Sequence, residues 1–229
     1  MHGLSIVGAD VNENAGAAQA PETWLVVVRH GETQWNRERR IQGYHADSAL
    51  TATGEAQAAA LAGRLAREGI DALFASDLGR TRSTAHPIGL ATGIAPVHDA
   101  GLRERSYGIF EGRTFAEIEK HYPAEYARIM ARDPHYAAPG GESALQFRDR
   151  VLGTLERIAV HCSGKRAAVV THQGVLGMLY RHALELPLDS PKRPPMQNAS
   201  CNHFRYCSGR WILESWCDVA HLDEGAGIK

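Results

Sequence analysis

The stretch Trp24–Asn36, WLVVVRHGETQWN, constrains this chain more than any other. Five residues of Trp, Leu and Val read as a short strand buried on both faces, and the run then breaks into Arg29-His30-Gly31-Glu32-Thr33. A cation, an imidazole and a glycine are poor packing material. At the carboxyl end of a strand in an open α/β sheet, however, they lie where ligands bind. A second apolar run ends the same way, in Val170-Thr171-His172-Gln173-Gly174. One histidine at a strand end is more often a satisfied structural residue, whereas two at equivalent ends of one sheet could face a shared crevice.

The rest of the pattern alternates between the two periods. Gln34–Ala49 starts helically and becomes a loop. Thr51 is an N-cap candidate for a helix whose apolar stripe is Ala56, Ala60, Leu61 and Leu65, with Gly69 as its stop. Ile70–Ala75 reads as a second strand, Arg80 to Ala91 as a helix and Ile94–Val97 as a third strand, followed by an irregular loop over Leu102–Gly112. Thr114–Arg132 is helical with a break at Pro123, and Asp133–Gly141 is turn-rich. Glu142–His161 is a long amphipathic helix. Arg166–Thr171 is a fourth strand, running into a helix through Leu186 and then a connector, Pro187–Pro195. Strands near Ala199–Cys207 and Arg210–Cys217 meet at Ser208-Gly209, a hairpin signal. This order predicts an α/β fold: a doubly wound, mostly parallel sheet with helices on both faces and a C-terminal β-hairpin. The 229 residues suffice for one large α/β domain or two small ones.

Composition mainly excludes. A net charge of −1 offers no global basic footprint for nucleic acid. No apolar run approaches the ~18–20 residues of a membrane span. Residues 1–22 lack the charged and apolar regions of a signal peptide and read as a flexible N-terminal extension, so a cytoplasmic protein is expected. The four cysteines match no zinc spacing; three fall in the final strand region and read as small buried hydrophobes. No HxH, HExxH or clustered acidic pattern offers a divalent site, so no metal and no cofactor are expected.

Arginine supplies the next constraint. Arg29 precedes His30, and Arg80 opens the helix after the second strand, where backbone N–H groups and the helix dipole favour an anion. Arg82 reads as a solvated helix residue. A phosphoryl group needs several donors on its equatorial oxygens and an in-line nucleophile. Two arginines and two histidines meet that demand without a metal.

Five motifs then occur in order: Arg29-His30-Gly31-Glu32 with Trp35-Asn36; an SxLxRTxxTA-like segment at Ser76–Ala85; Leu102-Arg103-Glu104-Arg105-Ser106-Tyr107-Gly108 with Glu111-Gly112; Gly140-Gly141-Glu142-Ser143; and Thr171-His172. From Trp24 to the C-terminus the chain resembles the histidine phosphatase superfamily, the phosphoglycerate-mutase-like proteins. The resemblance implies a domain over residues 23–229 with a short helical lid at about 113–141. It implies His30 as the nucleophile that becomes phosphohistidine, and Arg29, Arg80 and His172 as the phosphate pocket. Asn36 would be a further phosphate ligand and Glu104 the proton donor to the leaving oxygen. In this reading Gly31 lets backbone approach the anion, and Glu32 stays unassigned.

Physical chemistry adds a condition: His30 must be neutral to attack, and Arg29 and Arg80 should lower its pKa, whereas Glu104 must keep a proton. Two departures from the family pattern matter. Gln173 intervenes between His172 and Gly174; its amide could reach substrate, its N–H could donate to phosphate, or it turns outward. The loop Gln42–Leu50 is one residue longer than the usual form and receives no binding role. The short segment between Gly112 and Gly140 lacks the longer mutase insertion and points to a phosphomonoester hydrolase rather than a mutase. A phospho-ligand binding module without catalysis is the third reading. The basic groups Arg113, Lys120, His121, Arg128, Arg132 and His135 suit a small acidic phosphorylated metabolite as partner. Homodimer formation stays open.

Overall fold

A computed structural model describes residues 21–190 and 194–223. It contains one six-stranded sheet in the order β3-β2-β4-β1-β5-β6. The strands are β1 (Thr23–Arg29), β2 (Ala72–Ala75), β3 (Val97–His98), β4 (Arg166–Thr171), β5 (Cys201–Cys207) and β6 (Arg210–Asp218). The first four are parallel to one another, while β5 runs antiparallel to β1 and β6 to β5. The helices are α1 (Gln34–Arg37), α2 (Ala52–Glu68), α3 (Gly79–Thr92), α4 (Phe115–His121), α5 (Pro123–Met130), α6 (Ala144–His161), α7 (Gln173–Ala183) and α8 (Ala220–Asp223).

Alternate residues of the central strands feed two cores. Leu25, Val27, Ala167 and Val169 meet Phe147, Val151 and Leu155 of α6 and Leu176 and Leu179 of α7. On the other face Val26, Val28, Ala168 and Val170 meet Leu61 and Leu65 of α2 and Ala85 and Ile88 of α3. A strand covered on both faces must be apolar throughout, which explains the unbroken Leu-Val-Val-Val run of β1. The third core gathers Phe110, Ile118, Tyr136 and Ala138, with Tyr122, Tyr126 and Ile129 packed around them, about α4 and α5.

Helix ends follow local chemistry. Thr51 caps α2 by accepting from Gly54 N–H, and Gly69 ends it in the left-handed region at φ 68°. Thr114 and Ser143 form capping boxes with Glu117 and Gln146 at the starts of α4 and α6. Pro123 opens α5, as expected for a break between two short helices.

Several boundaries differ from the sequence reading; the second strand, for one, is Ala72–Ala75 rather than Ile70–Ala75. The third strand is Val97–His98 rather than Ile94–Val97, because Ile94 packs into the core under α2 and α3 while Val97 lies on the exposed edge. The α7 helix stops at Ala183, three residues before Leu186, with Glu185 at φ 53° closing it. The α6 helix begins at Ala144, since Ser143 is its cap. None of the four cysteines is in a disulfide; Cys162 and Cys201 are buried, but Cys207 and Cys217 are half-exposed rather than core residues. The N-terminal extension expected over residues 1–22 falls, except for its last two, outside the described residues. No described helix is long and apolar enough to cross a membrane.

Candidate active site

Register makes the site. In the parallel pair β1–β4, Arg29 stands opposite Thr171, and His30 N–H donates to Thr171 O at 3.0 Å. The next residue on each strand is a histidine, so His30 and His172 emerge side by side with ring centroids 5.4 Å apart. The two rings are neighbours, but only His30 reaches the cavity described below; His172 is fully buried behind it.

The two imidazoles are wired differently. His30 Nδ1 lies 2.8 Å from Gly31 O. A carbonyl only accepts, so Nδ1 carries the proton and Nε2 keeps its lone pair. Burial first, then Arg80 and Arg29, hold the His30 pKa well below the usual imidazole range. The arginine effect expected from sequence is there, but desolvation exceeds it. His172 Nδ1 accepts from Arg80 Nε at 3.2 Å, so its proton is on Nε2, which donates to Ser76 Oγ at 2.9 Å. Burial and Arg80 push the His172 pKa well down too.

Arg80 is caged. Beyond His172, its Nη1 reaches Ala46 O at 3.2 Å and Asp47 at 2.8 Å, and its Nη2 reaches Gly43 O at 3.0 Å. Four of the five guanidinium N–H donors are thereby committed within the protein. The loop that supplies these acceptors is the segment given no binding role from sequence. Glu111 in turn holds the loop: its carboxylate accepts from the N–H groups of Tyr44, His45 and Ala46, and from that of Tyr107. Gly79 admits Asp47, whose Oδ2 would sit 2.6 Å from a Cβ at that position.

Arg29 donates through Nη1 to Met196 O at 2.5 Å, and burial lowers its pKa to about 10, which leaves it cationic at neutral pH. Its buried Nε has no hydrogen-bond partner among the described residues. Asn36 belongs to a capping box with Thr33 and accepts from Asn198 Nδ2 at 3.1 Å; Asn198 also donates to His30 O at 3.0 Å. Glu104 is buried, with one oxygen accepting from Arg105 N–H at 2.8 Å and the other from Gly174 N–H at 2.9 Å. Desolvation raises its pKa against the pull of those two N–H groups and of Arg80 and Arg29. A Cβ at position 174 would lie 2.0 Å from Glu104 Oε1, so glycine is required there by the carboxyl itself.

A cavity of about 680 Å³ opens beside these groups, and His172, Asp47, Ser76 and Glu111 lie behind its wall. Arg29, His30, Asn36, Arg80, Glu104 and Gln173 all contribute to its wall; Gln173 is exposed there, at the start of α7. Among the basic lid residues singled out from sequence, Arg128 and Arg132 line it, whereas Arg113 pairs with Tyr122 OH at 3.3 Å. The wall also includes Arg39, Arg105 and Arg181, and Gln42, whose buried Oε1 has no partner among the described residues. Ser76 and Glu111 stand in motifs of the sequence without a role assigned to them, and Asp47 and Asn198 were not singled out, because all four act on backbone or on other site residues.

Gly31 departs from the role expected of it. Gly31 does not open backbone to an anion: its N–H donates to Thr84 Oγ1 at 3.0 Å, and a Cβ there would lie 2.5 Å from Gly54 O. It is small because β1 and the start of α2 touch. Glu32 gains a place as well, accepting from Thr51 Oγ1 at 2.7 Å at the cap of α2 while lining the cavity.

The model of the histidine phosphatase superfamily (branch 1) matches residues 25–219. The chain belongs to that superfamily. It is 38% identical to the probable phosphoglycerate mutase GpmB of Escherichia coli O1:K1 / APEC over 207 residues, 88% of this chain and 96% of the relative. Among solved structures it is similar to Bacillus stearothermophilus YhfR, with TM-score 0.80 and 33% identity over 87% of this chain and 99% of that one. A mycobacterial glucosyl-3-phosphoglycerate phosphatase in complex with VO3 matches with TM-score 0.75 and 29% identity, covering 87% of this chain and all of that one. No group of three or more His, Cys, Asp or Glu among the described residues is arranged to hold a metal ion.

Proposed function

We propose that this member of the superfamily is a metal-independent phosphomonoester hydrolase that acts on a small acidic phosphorylated metabolite through phosphohistidine at His30. The observation that carries the reading is the Nδ1 bond of His30 to Gly31 O, which leaves Nε2 unprotonated in a pocket that disfavours imidazolium. Nε2 attacks phosphorus while the ester P–O bond breaks. Arg29 Nε supplies a donor to the phosphoryl oxygens, and the caged Arg80 supplies charge beside it. Glu104 enters protonated, helped by its desolvation, and gives that proton to the departing alkoxide oxygen. Water then attacks phosphohistidine, its proton returns to Glu104, and inorganic phosphate leaves.

Arg39, Arg128, Arg132 and Arg181 around the cavity support a substrate with negative charge beyond its phosphate. Gln42 Oε1 asks for a hydrogen-bond donor such as a hydroxyl. The phosphoglycerate mutase reading stands second, on the name given to the Escherichia coli relative. A mutase must keep water from phosphohistidine, and the two short helices α4 and α5 form a small cover for that task.

His30→Ala should lower turnover of an aryl phosphate at least about 10,000-fold with the fold intact by circular dichroism; near-normal activity would sink the mechanism. Activity should persist in EDTA. A panel of phosphorylated metabolites ranked by kcat/KM, with ³¹P NMR following a phosphoglycerate in the presence of its bisphosphate, separates the two readings. Release of inorganic phosphate supports hydrolysis, and interconversion of monophosphates supports the mutase.

A further inference from the structure

Glu104 lies on a strap between two single-turn 3₁₀ helices, Ala100–Leu102 and Gly108–Phe110, in the connection from β3 to α4, yet its carboxyl is fixed to within hydrogen-bond geometry at both oxygens. A side chain is only as well placed as its backbone. The group that fixes this backbone comes from α6. Arg150 Nη1 donates to Gly101 O and Arg103 O, both at 3.0 Å, and Nη2 donates to Glu104 O at 3.2 Å. The same guanidinium pairs with Glu142 at 2.5 Å, and Glu142 Oε1 also accepts from Ser106 N–H at 2.9 Å. The strap is thus gripped on both sides of Glu104 by one ion pair. Arg150 Cζ further lies 5.1 Å from the Phe147 ring centroid, and the Phe147 edge would be 3.0 Å from a Cβ on Gly174, the residue whose N–H holds Glu104.

We propose that Arg150, neutralised by Glu142, is a positioning residue that sets the Glu104 carboxyl where it can reach the leaving oxygen. The inference rests on the reading of Glu104 as proton donor. Three carbonyl acceptors converging on one guanidinium demand the planar fork of arginine. A bare cation beside the strap would favour ionised Glu104 and spoil it as an acid, and Glu142 offsets that charge. Arg150 and Glu142 therefore act as a unit: one holds the acid in place, the other protects its proton.

The test exploits leaving-group chemistry. Nitrophenolate is stable as an anion and departs without a proton, whereas the alkoxide of an alkyl phosphate needs one. For Arg150→Met, kcat/KM on glycerol phosphate should fall about 100-fold and on p-nitrophenyl phosphate less than about 5-fold, in line with the usual size of general-acid catalysis. Arg150→Lys should recover part of the difference. Glu142→Gln should move the alkaline limb of the pH profile to lower pH. Equal losses on both esters, or no loss on either, would overturn the proposal. If Arg150→Met fails to fold by circular dichroism, the same comparison is read from Arg150→Lys and Glu142→Gln. Glu104→Gln provides the control: it must show the same selective loss. An equal loss there instead refutes the role of Glu104 and the inference with it, while selective loss in Glu104→Gln with equal loss in the Arg150 variants refutes the inference alone.

Discussion

Glu111 touches no cavity chemistry, yet four backbone N–H groups converge on its carboxylate. An amide in its place offers one acceptor oxygen instead of two, and its NH₂ would face donors. Glu111→Gln should release the 43–47 loop and with it the carbonyl cage around Arg80. The inhibition constant of inorganic phosphate should rise about tenfold, equivalent to about 1.4 kcal/mol, with a smaller change in kcat; an unchanged constant would refute the linkage. The pH profile belongs to the same scale. His30 titrates well below the usual imidazole range and Glu104 above the usual carboxylate range, so kcat/KM should be bell-shaped. The acid limb is protonation of His30 Nε2 and the alkaline limb is loss of the Glu104 proton. A flat profile on an alkyl phosphate would contradict both assignments.

Elements meet at glycines. Gly31 and Gly54 let the end of β1 lie against the start of α2, and a Cβ on Gly54 would come within 2.0 Å of Glu32 O. That neighbour is backbone and cannot rotate away, so Gly54→Ala should cost about 2–3 kcal/mol by overpacking. Urea unfolding would show it as a lower midpoint, and an unshifted midpoint would mean that the two elements separate freely. The strand ends carrying the histidines were legible because a run buried on both faces has no packing reason to finish in Arg-His-Gly. The 43–47 loop was not, because two of its three acceptors for Arg80 are carbonyls, which every residue possesses, and the third, Asp47, stands in no motif. The β3 strand was misplaced for a related reason: with two residues at a sheet edge it has no apolar pattern of its own, and Ile94 earlier in the segment belongs to the helix-side core. Glu104 stands in a motif of the sequence, whereas Arg150 and Gly174, which hold its backbone carbonyl and its carboxyl, come to it only in three dimensions.

For the molecule as a whole, burying neutral histidines ties stability to pH. His30 and His172 have folded pKa values well below the unfolded value of about 6.5, so above that pH both are neutral in either state. As pH falls through it, the unfolded chain takes up protons that the fold refuses. Each histidine then removes about 1.4 kcal/mol of stability per pH unit. Glu104 runs the other way, its raised pKa favouring the fold at low pH and costing stability above. Tm should therefore drop between pH 7 and pH 5, and His172→Asn should flatten the drop; an identical slope in that variant would refute the assignment. The β1–β4 register carries a kinetic consequence as well. Arg29 and Thr171, opposite each other there, are 171 − 29 = 142 positions apart in the chain. Closing so long a stretch is an expensive step for a collapsing polypeptide, and until it happens the two histidines are strangers. In a refolding experiment helical signal should return first and turnover last, which makes the enzyme its own clock for the completion of its sheet.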